Sequence, residues 1–170
     1  MAKIFNRFLK LFVYTICLYI GFCGISRAAT CGVNEIDLGD GTCVETKFSV
    51  TTTNLSVGTE FRFYMSASGT FYIDCGAGGE LSGIGVDGML VERTDTTEAL
   101  YTCTYATAGI KTIRFAGTAT GYNTSTSTAA ISFYKVSGGI QDKIISVSGN
   151  LASMFPKLNA SATGGQPRMS

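Results

Sequence analysis

Thr59-Glu60-Phe61-Arg62-Phe63-Tyr64-Met65-Ser66, followed closely by Thr70-Phe71-Tyr72-Ile73-Asp74-Cys75, is the stretch that decides the fold. In the first run Phe61, Phe63 and Met65 fall on one face of an extended chain, and Arg62 and Tyr64 on the other. Successive side chains of a strand point to opposite faces, so this period of two marks a strand with one buried side. A helix would need apolar residues three and four positions apart. The second run is another strand. Ser68-Gly69 between them carries turn chemistry, which predicts a hairpin.

The same grammar extends in both directions. Glu45–Thr53 (ETKFSVTTT) alternates, and Asn54-Leu55-Ser56-Val57-Gly58 turns the chain. Gly76-Ala77-Gly78-Gly79 is a flexible loop, and Gly83–Arg93 adds strand residues around Asp87-Gly88. Ala99–Tyr105 (ALYTCTY) and Ile110–Ala116 (IKTIRFA) are two strands joined at Ala106-Thr107-Ala108-Gly109. In the second of these, Ile113 and Phe115 alternate with Thr112 and Arg114. Ala130–Val136 and Lys143–Ser148 are the last strands. Gly149–Leu158 is the only helix expected, and Pro156 keeps it short. Asn159–Ser170 is small and polar and reads as a frayed tail. About eight short strands with Gly-rich turns predict an all-β, antiparallel sandwich, with a half-barrel as the alternative.

The N-terminus speaks to compartment. Met1–Lys10 holds Lys3, Arg7 and Lys10 and no acid. Leu11–Ile25 is an apolar run, and Ser26-Arg27-Ala28-Ala29 puts small residues near a cut. That order is expected of a secretory signal peptide over residues 1–29. The apolar run is short for a bilayer span, which needs about 20 residues. An uncleaved anchor is the alternative. A lipoprotein cut before Cys23 would place the bulky Phe22 where small residues are preferred. No later stretch is long and apolar enough to cross a membrane.

Four of the 13 basic residues and none of the 12 acids lie in the first 29, so residues 30–170 carry a formal charge of −3. Such a balance argues against nucleic acid, which demands clustered Lys and Arg. Two of the six cysteines, Cys17 and Cys23, fall in the leader. The remaining Cys31, Cys43, Cys75 and Cys103 allow three pairings, and in an exported chain they are expected to be bonded. Cys31 and Cys43 bracket GVNEIDLGDGT, whose Gly39-Asp40-Gly41 step signals a tight turn in a small hairpin or loop. Asp37 and Asp40 lack the ligand spacing of an EF-hand and fit turn chemistry better.

Catalytic constellations are mostly excluded. The chain has no histidine, so Ser-His-Asp and Cys-His nucleophiles and HExxH zinc sites are ruled out. There is no CxxC pair. Gly76–Gly79 is not followed by Lys-Ser/Thr or a helix, as a phosphate loop would be. A carboxylate-pair hydrolase survives by residue type through Asp74, Glu80, Asp87, Glu92, Asp95 and Glu98, although none sits in a motif. Tyr64, Tyr72, Tyr122 and Tyr134 are candidates for a contact surface, since tyrosine offers flat apolar area with a polar tip. Cross-strand pairing on an outer sheet face is the simpler explanation for any one of them. Asn54, Asn123 and Asn159 begin N-x-Ser triplets, which matter only in a host that glycosylates.

Two stretches, Phe71–Gly79 (FYIDCGAGG) and Tyr101–Ile113 (YTCTYATAGIKTI), together resemble the signature segments of PKD-like domains, immunoglobulin-like β-sandwiches of bacterial surface proteins. In that family a strand runs into Trp-Gly-Asp-Gly, and a later His-x-Tyr segment precedes a Gly turn and another strand. Here Cys75 stands for the Trp, Ala77 for the Asp and Cys103 for the His. The family's two segments lie side by side, so the resemblance implies a Cys75–Cys103 disulfide and leaves Cys31 with Cys43. The likeness covers roughly Lys47–Val136. The phrases Phe63–Phe71 and Ile113–Tyr122, with the Ser146–Leu151 to Gln166–Arg168 region, are similar to the N-terminal modules of BspA-like leucine-rich-repeat surface proteins. No internal repeat is visible, so the resemblance implies a truncated or repeat-free member.

The expected organisation is therefore a signal peptide (1–29), a disulfide-closed N-terminal loop (30–44), a PKD-like sandwich (45–149), and a short helix with a flexible tail (150–170). The expected function is a non-catalytic, secreted or cell-surface module for adhesion or spacing. It would bind a surface protein or glycan and need no cofactor or metal. A secreted carboxylate hydrolase and a fibre- or pilus-like subunit are the alternatives.

Overall fold

The structure is a computed structural model, and it describes residues 31–123, 129–133 and 141–156. The strands are β1 (Glu35–Asp37), β2 (Cys43–Leu55), β3 (Glu60–Met65), β4 (Ala67–Asp74), β5 (Gly79–Gly83), β6 (Val86–Asp87), β7 (Leu90–Arg93), β8 (Ala99–Tyr105), β9 (Gly109–Tyr122), β10 (Ile131–Ser132) and β11 (Ile144–Gly149). A single turn of helix, α1 (Leu151–Met154), follows. Asn150 caps it by accepting the Ala152 N–H at 3.0 Å.

The strands form two antiparallel sheets. The larger runs β1-β2-β9-β4-β7-β6, with β11 also paired to β2, and the smaller runs β10-β3-β8-β5. The all-β, sandwich-like architecture expected from alternation is present. The expected signal peptide, Tyr134 and the tail Asn159–Ser170 lie outside the described residues. So does the second half of the expected strand Ala130–Val136, of which β10 is the described part.

One expectation is corrected. The runs Glu60–Met65 and Ala67–Asp74 are not a hairpin: β3 pairs with β8 and β10 in the small sheet, β4 with β9 and β7 in the large one. Between them the chain crosses from sheet to sheet at the buried Ser66. Its N–H donates to the Ala130 carbonyl at 3.0 Å, and its carbonyl accepts the Asn123 N–H at 3.2 Å. The reason is packing. A hairpin would set two apolar faces side by side on one sheet, whereas a crossing lets them face each other. Ser68-Gly69 is then a bulge inside β4. Gly69 has φ +142°, and a Cβ there would lie 2.6 Å from the Thr118 carbonyl oxygen. β8 and β9, joined by the turn at Ala106–Gly109, likewise belong to different sheets.

The core follows from the alternation. Phe61, Phe63 and Met65 of the small sheet meet Phe48, Val50, Phe71, Ile73, Ile113 and Phe115 of the large one, all buried. Phe63 meets Phe115 edge-on at 5.3 Å between ring centroids, and Phe48 stacks on Phe115 at 4.4 Å. Phe155, just beyond α1, closes the margin against Phe48, Phe71 and Tyr122.

Both disulfides are formed: Cys31–Cys43 and Cys75–Cys103, each with 5.6 Å between Cα atoms. The second joins the end of β4 to β8 and so ties the two sheets together. Among the described residues two cations are buried. Arg93 donates to the Tyr101 hydroxyl (3.1 Å), Asp95 (2.7 Å) and the Thr97 carbonyl (2.6 Å). Burial opposes its charge, but the bonds to Tyr101 and Asp95 outweigh that and raise its pKa. Lys111 reaches from β9 to the Ala77 carbonyl (3.1 Å) and lies 5.0 Å from the Tyr105 ring centroid. No helix of the described residues is long and apolar enough to cross a membrane.

Candidate functional site

Of the four tyrosines singled out by sequence, the three among the described residues are divided between the two sheets. Tyr64 lies on β3 of the small sheet, paired with Leu100 and Ser132. Tyr72 lies on β4 of the large sheet, paired with Leu90 and Ala116. Tyr122 packs on Phe155 and donates its hydroxyl to the Pro156 carbonyl at 2.7 Å, a structural role. Tyr134 is not among the described residues.

Tyr72 lines an open groove of about 930 Å³. β4 supplies it because Tyr72 and Asp74 alternate with the core residues Phe71 and Ile73 and so stay partly exposed. The disulfide-closed hairpin adds Leu38 and Asp40, β5 adds Glu80 and Leu81, and the β6–β7 turn adds Asp87, Met89 and Leu90. That turn is held against β4 by the Ile73 N–H, which donates to the Met89 carbonyl at 2.8 Å.

The groove is acidic. Asp40, Asp74, Glu80 and Asp87 line it, and among the described residues no basic side chain does. Two of these carboxylates have structural duties. Asp74 accepts the Gly76 N–H through Oδ1 at 2.7 Å and the Arg114 guanidinium through Oδ2 at 3.0 Å. Asp40 accepts the Thr42 N–H at 2.8 Å, and this bond holds its pKa below the usual carboxylate range. Glu80 and Asp87 are exposed.

Two chemistries can be tested against this geometry. A divalent metal needs several ligand atoms at one point. Among the described residues the one such group is Cys31, Glu35 and Cys43. Its sulfurs are bonded to each other, and Glu35 already accepts the Gly32 N–H at 2.7 Å. Zinc binds thiolates, so this trio does not fit a metal. A glycosidase pair needs one carboxyl in an enclosed apolar surrounding to serve as acid. With Asp74 committed to Arg114 and Gly76, the groove offers Glu80 and Asp87, and neither is enclosed.

The signal that sequence reading missed is convergence. Leu38 falls in the Cys31–Cys43 loop and Met89 in the expected strand stretch Gly83–Arg93, neither with any claim to function, and only the tertiary fold sets them beside Tyr72. No family model, curated protein or solved structure matches this chain.

Proposed function

We propose that this protein is an exported, non-catalytic surface module that binds a protein or glycan through the groove beside Tyr72. The observation that carries this reading is the groove itself. It combines a half-buried aromatic ring, apolar walls from Leu38, Met89 and Leu90, and the exposed carboxylates Glu80 and Asp87. An aromatic face beside hydrogen-bond acceptors suits the apolar and hydroxylated faces of a sugar, or a peptide bearing donors. Export is supported by the leader-like residues 1–29 and by two disulfides, which persist in oxidising compartments. Membership of the PKD-like class rests on the segments around Cys75 and Cys103, and the bond between these two cysteines fits a family in which those segments are neighbours.

A glycan array and a peptide library, screened with the exported protein, test this reading. Tyr72→Ala is expected to lower affinity for any hit by about tenfold or more, as loss of a stacked aromatic contact does. Its melting temperature should stay near that of the parent. Release of reducing sugar, abolished by Glu80→Gln or Asp87→Asn, would instead make the protein a hydrolase.

A further inference from the structure

The edges of the two sheets are unequal. β1 is three residues long and carries Glu35 and Asp37, and β6 is two residues long with Asp87. β10 is two residues long, and β5 carries Glu80 between glycines. Shortness and charge are the usual means by which a sheet edge avoids pairing with another chain. β11 has neither. It runs for six residues, Ile144-Ile145-Ser146-Val147-Ser148-Gly149, without charge or proline, and five of the six are exposed. Ile145 is 58% exposed and Val147 44%.

Among the described residues its outer backbone edge is unpaired as well. β11 pairs with β2 on one side, and among the described residues nothing pairs with the other. The Asn150 N–H donates to the Lys47 carbonyl at 2.7 Å, which fixes the phase of this ladder. Alternate residues of an antiparallel strand face opposite ways. The N–H and C=O of Val147, opposite Val50, therefore point away from β2.

We infer that β11 is a docking edge for a second copy of this chain, joined strand to strand about a two-fold axis. Self-pairing suits this edge for two reasons. An uncharged strand meets its own copy without like-charge repulsion. Antiparallel pairing centred on Val147 also lets that residue exchange both outward hydrogen bonds with its counterpart and sets the two exposed Val147 side chains side by side. A charged strand would instead set an ion beside Ile145 and Val147. The surface involved is independent of the groove beside Tyr72. A single strand pair is a small interface, so the dimer is weak and forms at about 100 µM protein or above.

Sedimentation velocity of the exported protein, from about 10 µM to about 1 mM, tests this. The expected result is a dimer fraction that rises with concentration and falls at least tenfold in association constant with Val147→Lys. Ile145→Lys serves as a second variant at a more exposed position, and thermal melting checks that each variant is folded. A monomer at every concentration overturns the proposal, as does a dimer indifferent to both variants. A monomer that binds an added Val/Ser-alternating peptide would show that the edge takes a foreign strand, which also overturns it.

Discussion

Gly117 shows how much one residue carries. It sits in β9 at φ +96°, where a Cβ would come 2.2 Å from the Thr70 carbonyl oxygen and 2.9 Å from the Phe71 Cα. Those contacts are to backbone, which cannot swing aside. Gly117→Ala is expected to lose more than about 2 kcal/mol through strain and a forced separation of β9 from β4. Chemical denaturation checks this, and a loss below about 0.5 kcal/mol would show that the strands yield. At this scale the sequence was readable where alternation spoke. Phe61, Phe63 and Met65 are buried as their spacing demanded, as are Ile113 and Phe115. It was unreadable where a polar residue holds an inward position. Lys111 shares the parity of Ile113 and Phe115, and its ammonium finds the Ala77 carbonyl and the Thr107 hydroxyl, partners that no local pattern announces.

Among elements, strand identity was more legible than strand partnership. β2, β3, β8 and β9 stand close to where alternation set them, yet β3 and β4 proved to be neighbours across the core rather than within a sheet. A Ser-Gly step serves a hairpin turn and a bulge equally well, and what decides is the opposing apolar face, which is remote in sequence. The groove was illegible for the same reason, since its walls come from four separated segments. The two disulfides differ in what they hold. Cys75–Cys103 spans 28 residues and joins the sheets, so its removal costs about 3.5 kcal/mol by loop entropy alone, and cutting a buried contact adds to that. Cys31–Cys43 spans 12 residues within one hairpin and contributes about 3 kcal/mol at most. The double variant Cys75→Ala/Cys103→Ala should therefore melt well below Cys31→Ala/Cys43→Ala. Equal melting temperatures would mean that the inter-sheet bond adds nothing to packing.

For the whole molecule, burial of phenols sets the alkaline limit. Burial pushes the Tyr101 and Tyr105 hydroxyls up, and pushes Tyr122 up to about 12. A neutral phenol is thus favoured by folding. The stability these groups contribute is complete below pH ~10, the ordinary tyrosine value, and is lost as pH rises through the higher folded values. On the acid side the signs reverse. The Thr42 bonds lower Asp40, and Arg93 followed by the Thr97 N–H lowers Asp95, so their contribution is present above pH ~4 and lost below it. Both carboxylates are exposed, so the acid effect is small. Melting temperature should be flat from about pH 5 to 10 and fall steeply above that, and Tyr122→Phe should soften the fall. A decline that begins near neutrality would contradict this assignment.

The bond between β4 and β8 also has a mechanical side. A chain drawn out from its two ends cannot lengthen between Cys75 and Cys103, so the 28 residues of that span stay locked while the disulfide lasts. At roughly 3.4 Å per residue this withholds about 95 Å of slack. The tether that remains after the sheets give way is correspondingly short. Reduction of this bond would therefore lengthen the fully extended chain by about that distance, a change that single-molecule stretching reads directly.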